Sequence, residues 1–210
     1  MGSSGVLPRA WPPIGTPLKF SIPIRRLAVA CLLASASLRA GDSHDDAKRY
    51  HDMGMTIEKK GGEDALKEAL PWLEKAAAVE PPNSDYVGDY GGACLQLADL
   101  TDSYFLAIKG RDLLKTAIKL NPDDVEARAG LMEFFARAPW PLGNVSEAEF
   151  QAAEIGRRDA KLAGQQEVRL GGWFEKKGRK DSAIRAYTAA LQFDAHNQKA
   201  QDALRRLGRP

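Results

Sequence analysis

Cysteine is scarce. The 210-residue chain has two, and one of them, Cys31, falls in a segment that reads as a cleavable leader. Cys94 would then stand alone, which excludes an internal disulfide in the processed chain. On the inward side of an amphipathic stretch it reads as a small buried hydrophobe. Histidine is also scarce: His44, His51 and His196 are the three. His44 and His51 stand near Asp42, Asp45, Asp46 and Asp52, a set that reads as a solvated helix start more readily than as a metal site. Apolar runs long enough to cross a bilayer, about 18 residues, are missing, so the mature region is expected to hold no stable membrane span. No strand pattern precedes a glycine-rich phosphate loop. The doublets Gly61-Gly62, Gly91-Gly92 and Gly171-Gly172 read as helix breaks or close helix crossings. No Ser/His/Asp or Cys/His set has a structural reason to meet. The sequence therefore offers no catalytic, cofactor-binding or metal residue, and the chain is not expected to be an enzyme.

Charge of one sign is lacking overall, with a formal net of +2, but it is unevenly spread. Residues 1–40 hold Arg9, Lys19, Arg25, Arg26 and Arg39 and no acid. Of thirty basic residues, the twenty-five outside that segment face twenty-eight acids, a net charge of −3 beyond residue 40. The basic character belongs to the leader and does not argue for nucleic-acid binding.

Arg25-Arg26 precede the apolar run Leu27–Ala34, and small residues follow through Leu38-Arg39-Ala40. A basic region, a short apolar core and a small-residue cleavage site predict a secretory signal peptide over about 25–40. Cleavage after Ala36 or Ala40 fits, with Ala40 favoured by the polar Gly41-Asp42-Ser43 beyond it. Cys31 stands too close to Arg26 for a lipoprotein site. The arginine pair suggests twin-arginine export, and the acid-free leader leaves a mitochondrial transit peptide open. The expected location is periplasmic or secreted, with the mitochondrion as alternative. Residues 1–24, rich in Pro and Gly, extend the leader beyond ordinary length, as an upstream start codon would.

What the chain has in quantity is helical periodicity. From about His44 to Lys60, Tyr50, Met53, Gly54 and Ile57 recur as one buried stripe. Gly61-Gly62 break it. Glu63–Val79 follows with Ala69, Leu73 and Ala76, closed by Pro81-Pro82. Pro71 predicts a kink there or a helix that starts near Leu70. Gly91–Asp124 carries Cys94, Leu97, Ala98 and Thr101, then Gly110, Leu114 and Ala117, and closes at Asn121-Pro122-Asp123. Asp123 or Asp124 would cap the next helix. Leu131, Met132, Phe134 and Phe135 follow from about Val125. The insertion Ala138–Asn144 rules out continued helix. Ser146 with Glu149 then forms a capping box ahead of Ala148, Ala152 and Ile155. Asn144-Val145-Ser146 is also a glycosylation sequon, though the cap reading is preferred. Trp140 reads as a lid over the third hairpin before an exposed anchor.

The clearest stretch is Leu170–Ala195. Leu170-Gly171, Phe174, Gly178, Ala183, Tyr187 and Ala190 fall at the spacing of one tetratricopeptide repeat, and the chain resembles that family. Ala195 departs, standing where the family's closing proline is usual. Gly171 and Ala183 are small where two helices would cross closely. The resemblance implies an all-α fold, a right-handed α–α superhelix of about four helix–turn–helix repeats, at about 44–82, 91–124, 125–162 and 164–197. A capping helix over 197–207 would present Gln198, Lys199, Asp202 and Arg206 outward. The 138–144 insertion resembles those of exported bacterial members.

In that family the first helices line a concave groove. By resemblance the groove would present Lys48, His51, Met55 and Glu58 from the first repeat, and Leu95, Asp99 and Asp102 from the second. Glu126, Glu133 and Arg137 would come from the third, and Gln165, Val168, Glu175 and Lys176 from the fourth. These do not match the basic carboxylate clamp of some relatives. Extended or helical peptides of basic character fit better. The expected function is an exported scaffold that binds a protein or peptide partner. The alternatives are an accessory or regulatory subunit docked permanently on an enzyme or envelope complex, and an enzyme whose site carries no recognised motif.

Overall fold

The structure, a computed structural model, describes residues 44–208 apart from position 140. The leader and the readings of Trp140 therefore lie outside the described residues. Within them the chain forms helices α1 (His44–Glu58), α2 (Gly62–Ala77), α3 (Ser84–Thr101), α4 (Tyr104–Leu120), α5 (Val125–Arg137), α6 (Val145–Gly156), α7 (Ala160–Lys176), α8 (Lys180–Phe193) and α9 (Gln198–Arg206). No strand occurs among the described residues.

Local hydrogen bonding explains where the helices begin. The first-turn N–H groups of a helix have no intrahelical acceptor. Side chains of Asn83, Ser103, Asp124, Asn144, Asp159 and Asn197 accept from them at the starts of α3, α4, α5, α6, α7 and α9. The α1–α2 and α7–α8 turns lack such a cap and instead turn through Gly61 and Gly178, at φ 75° and 68°. Asp124, not Asp123, caps α5, its Oδ1 accepting from the Ala127 N–H at 2.8 Å.

Several expectations are corrected. Helix α3 begins at Ser84, ahead of the expected Gly91, because the Asn83 side chain caps it through Asp85 and Tyr86. Helix α2 starts at Gly62, not near Leu70, and continues past Pro71. Pro71 and Lys67 both face solvent, so water can satisfy the Lys67 carbonyl that loses its N–H donor. Helix α6 is capped by Asn144, whose Oδ1 accepts from Glu147 N–H. The Ser146–Glu149 box does not form, and Glu149 pairs across to Arg185 at 2.6 Å. Met53 is 49% exposed, leaving Ala47, Gly54 and Ile57 as the buried stripe of α1. Thr101 is exposed and returns its hydroxyl to the Leu97 carbonyl at 2.7 Å.

Consecutive helices pack in antiparallel pairs, α1 on α2, α3 on α4, α5 on α6 and α7 on α8, with α9 closing against α8. First helices also meet one another, α3 with α5 and α5 with α7, and so build a shared inner layer. Phe174, Leu131, Met132, Ile155 and Leu170 are fully buried in a core that runs on to Ala200 and Leu204. At the α3–α4 crossing the backbones themselves approach: a Cβ on Gly110 would lie 2.7 Å from the Gly91 carbonyl oxygen. Helix α9 buries Ala200, Ala203 and Leu204 and is held by Arg206, which donates to Glu175 at 3.0 Å.

Candidate functional site

The inner layer carries a pocket of about 430 Å³ where α1, α3 and α5 converge. Its floor is bare because Gly88 and Gly92 stand one turn apart on α3; a Cβ on Gly92 would meet nothing within 4 Å. Its walls bring Glu58 from α1, Asp85 and Asp89 from α3, and Asp124 and Glu126 at the start of α5. Met55, Gln96 and Leu114 complete the lining.

Among the described residues, no Lys or Arg forms an ion pair with any of these five carboxylates. Glu58 accepts from Gln96 Nε2 at 2.7 Å. Asp85 meets the Ser84 hydroxyl at 3.2 Å. Asp89 meets His51 Nε2 at 2.6 Å, and the His51 ring stacks on Tyr86 with centroids 4.6 Å apart. Burial pushes the Asp124 carboxyl up from its ordinary range; the Ala127 N–H opposes the rise, and the charges of Asp85, Glu126 and Asp89 add to it. Asp124 thus registers the negative field of the pocket.

Farther along the same layer the charges cancel. Asp99 of α3 pairs with Arg137 of α5 at 2.6 Å. Glu133 pairs with Arg137 at 2.5 Å and with Arg169 of α7 at 2.9 Å. The groove is therefore acidic at its α1–α3–α5 end and neutralised at its α5–α7 end.

Of the expected groove residues, the pocket brings together Met55, Glu58 and Glu126. His51 stands beside it through Asp89. Lys48 is exposed and pairs with Asp52 on its own helix at 2.7 Å. Leu95 turns toward α4 and fills the space opposite Gly110, whose bare backbone admits it. Asp102 lies in the α3–α4 turn at φ 52°, at the end of α3. Gln165 is exposed, and Val168 packs against the core. Glu175 is held by the Tyr187 hydroxyl at 2.6 Å and by Arg206, and Lys176 is exposed at the end of α7.

Sequence reading missed Asp85, Gly88 and Asp89, because it began the second repeat at Gly91. The signal was present: Asn83 followed by Ser84-Asp85 is a helix start. Cys94 is buried, and burial pushes its thiol up to about 11, which suits a packing role.

No family model and no curated protein matches the chain. Solved structures do. YrrB, described as a tetratricopeptide protein with an unusual peptide-binding site, matches at 22% identity and a TM-score of 0.56, over 87% of this chain and 91% of its own. MamA from Desulfovibrio magneticus RS-1 matches at 18% identity and 0.57, over 78% and 84%. The thermophilic tetratricopeptide protein TTC0263 of Thermus thermophilus matches at 17% and 0.54, over 77% and 80%. At these identities the likeness concerns the fold. The fold is that of a tetratricopeptide-repeat protein, an all-α right-handed superhelix of stacked helical hairpins with a closing C-terminal helix. No described helix is long and apolar enough to cross a membrane.

Proposed function

We propose that the chain is a non-catalytic, exported scaffold that holds an extended basic segment of a protein partner in its concave groove, with a lysine or arginine side chain over the Gly88–Gly92 floor. The observation that carries this is the set of five acids, none ion-paired to lysine or arginine, around an open pocket. Mutual repulsion among carboxylates raises the free energy of the empty site, and an entering ammonium or guanidinium group relieves it. The bare floor lets an alkyl stem lie against α3 while its charged head meets the walls. Specificity would come from alternate side chains of an extended peptide, as in other groove recognition. The peptide-binding site of YrrB, on the same fold, supports the reading.

The test is titration of the protein with a Lys/Arg-rich peptide and with its acidic counterpart. The basic peptide should bind, and its affinity should fall as salt rises. Asp85→Lys with Glu126→Lys should weaken it at least tenfold, on the scale of ~1.4 kcal/mol. Asp99→Ala should change little, because Asp99 already pairs with Arg137. Equal binding by the charge-reversed protein would remove the pocket from the function.

A further inference from the structure

A second surface adjoins the pocket at Glu58 and otherwise lies apart from it. The turns that join the two helices of each hairpin lie along one edge of the stack. Three contacts place them there. Glu58, at the end of α1, reaches Gln96 of α3 at 2.7 Å. Asp99, near the end of α3, reaches Arg137 at the end of α5 at 2.6 Å. Lys177, just past α7, donates to the carbonyls of Arg137 and Ala138.

The middle of this edge carries exposed apolar side chains. Phe105 is 74% exposed, Leu100 54% and Tyr104 44%. The ends are basic: exposed Lys59 and Lys60 on one side, and exposed Lys176, Arg179 and Lys180 on the other. These five cations make no ion pair among the described residues. Of the exposed acids near this edge, Glu63 pairs with Lys67 and Asp99 with Arg137, while Asp64, Asp102 and Asp181 carry no ion pair among the described residues, so cations remain in excess. Cations at the ends of α1 and α7 complement the helix dipoles, but no dipole calls for an exposed Phe and Leu.

We infer that this edge docks on an anionic lipid surface, with Leu100 and Phe105 entering the interfacial layer and the flanking cations meeting lipid headgroups. An apolar centre between separated basic ends suits a planar, laterally mobile source of negative charge, because each lysine then finds its own headgroup. Charge also sets the orientation. Four of the five pocket acids, Asp85, Asp89, Asp124 and Glu126, stand toward the starts of α3 and α5, away from the turns, and an anionic surface repels them; Glu58 alone lies at the turn edge, next to Lys59 and Lys60. The 18 residues of α3 span ~27 Å at the usual helical rise, so Asp85 stays clear of the lipid.

The test is co-sedimentation of the full chain with vesicles of phosphatidylcholine alone and of equal parts phosphatidylcholine and phosphatidylglycerol. The leader is itself basic and apolar, so the readout is the difference between variants that share it. Binding should require phosphatidylglycerol and weaken with salt. Leu100→Ser with Phe105→Ser, and separately Lys176→Glu with Arg179→Glu and Lys180→Glu, should each weaken it about tenfold or more. All five positions are exposed, so the variants should keep their helical circular dichroism. Binding to the two vesicle types that does not differ, or variants that sediment like the unaltered chain, would overturn the inference. So would variants that keep lipid binding and lose a soluble protein partner, which would make the edge a protein interface.

Discussion

At the scale of single residues, two kinds of position decide the packing. Gly171 faces the Tyr187 ring, which a Cβ would approach to 2.7 Å. Gly171→Leu should therefore overpack the α7–α8 crossing at a cost of about 1–3 kcal/mol, read as a lower unfolding midpoint in denaturant. At Gly110 the obstacle includes the Gly91 carbonyl, which no rotamer change removes. Gly110→Ala should lose stability even though alanine gains about 1 kcal/mol in helix propensity. The other kind is the buried acid. Glu167 is 8% exposed and makes no hydrogen bond or ion pair among the described residues. Burial, with the Glu149 carboxylate nearby, pushes it up to about 7. The folded state then holds a proton that the unfolded chain releases near pH ~4.3. Stability from this group is full below that value, falls as pH rises toward about 7, and is lower by roughly 3–4 kcal/mol beyond it. Glu167→Gln should abolish that part of the slope and be more stable than the unaltered chain at mildly alkaline pH. Parallel stability curves for the two proteins between acid and alkaline pH would refute it.

At the scale of the element, caps decide boundaries. Asn144 accepts from Glu147 N–H at 3.2 Å, so Asn144→Ala should cost about 1 kcal/mol and Ser146→Ala next to nothing. Equal losses in the two variants would restore the sequence reading of Ser146 as the cap. Either residue could begin α6 on propensity alone. The choice rests on the preceding loop, where the Asn144 N–H donates to the Phe135 carbonyl at 2.9 Å and holds residue 144 at the helix entrance. Pro71 teaches the same lesson in reverse. Its local effect is disruptive, but its place on the outer face of α2 lets the helix continue. Glycine breaks and apolar stripes were readable because they act within a turn or two. Cap competition was not, because a neighbouring loop settles it.

At the scale of the whole molecule, stacking turns local hairpins into a surface with polarity. Each hairpin buries one face only against the next, so the array needs its closing helix. Removing α9 would uncover the α8 face that now packs Ala200, Ala203 and Leu204. A chain truncated before Asn197 should unfold at lower denaturant and bind a hydrophobic dye. A native-like midpoint without dye binding would show that α9 is dispensable. Export belongs to this scale too. If the leader is a signal peptide, N-terminal sequencing of protein from its host should find a start near Gly41. An intact leader in the cytoplasm would reject that reading, and recovery from mitochondria would favour the transit peptide.

The sequence by itself determined that the chain is helical, where most hairpins turn, and which small residues sit at helix crossings. Those properties follow from hydrogen bonding and sterics among residues a few positions apart. The charge of the groove was decided only by tertiary structure. Asp99, Glu126 and Glu133 look alike in sequence, yet Arg137 and Arg169 neutralise Asp99 and Glu133 across neighbouring hairpins. Glu126 instead joins acids from α1 and α3 around a glycine floor. Whether a carboxylate is paired depends on distances between helices more than thirty residues apart, as with Arg169 and Glu133 at a separation of 36. Electrostatic energy follows those distances in space.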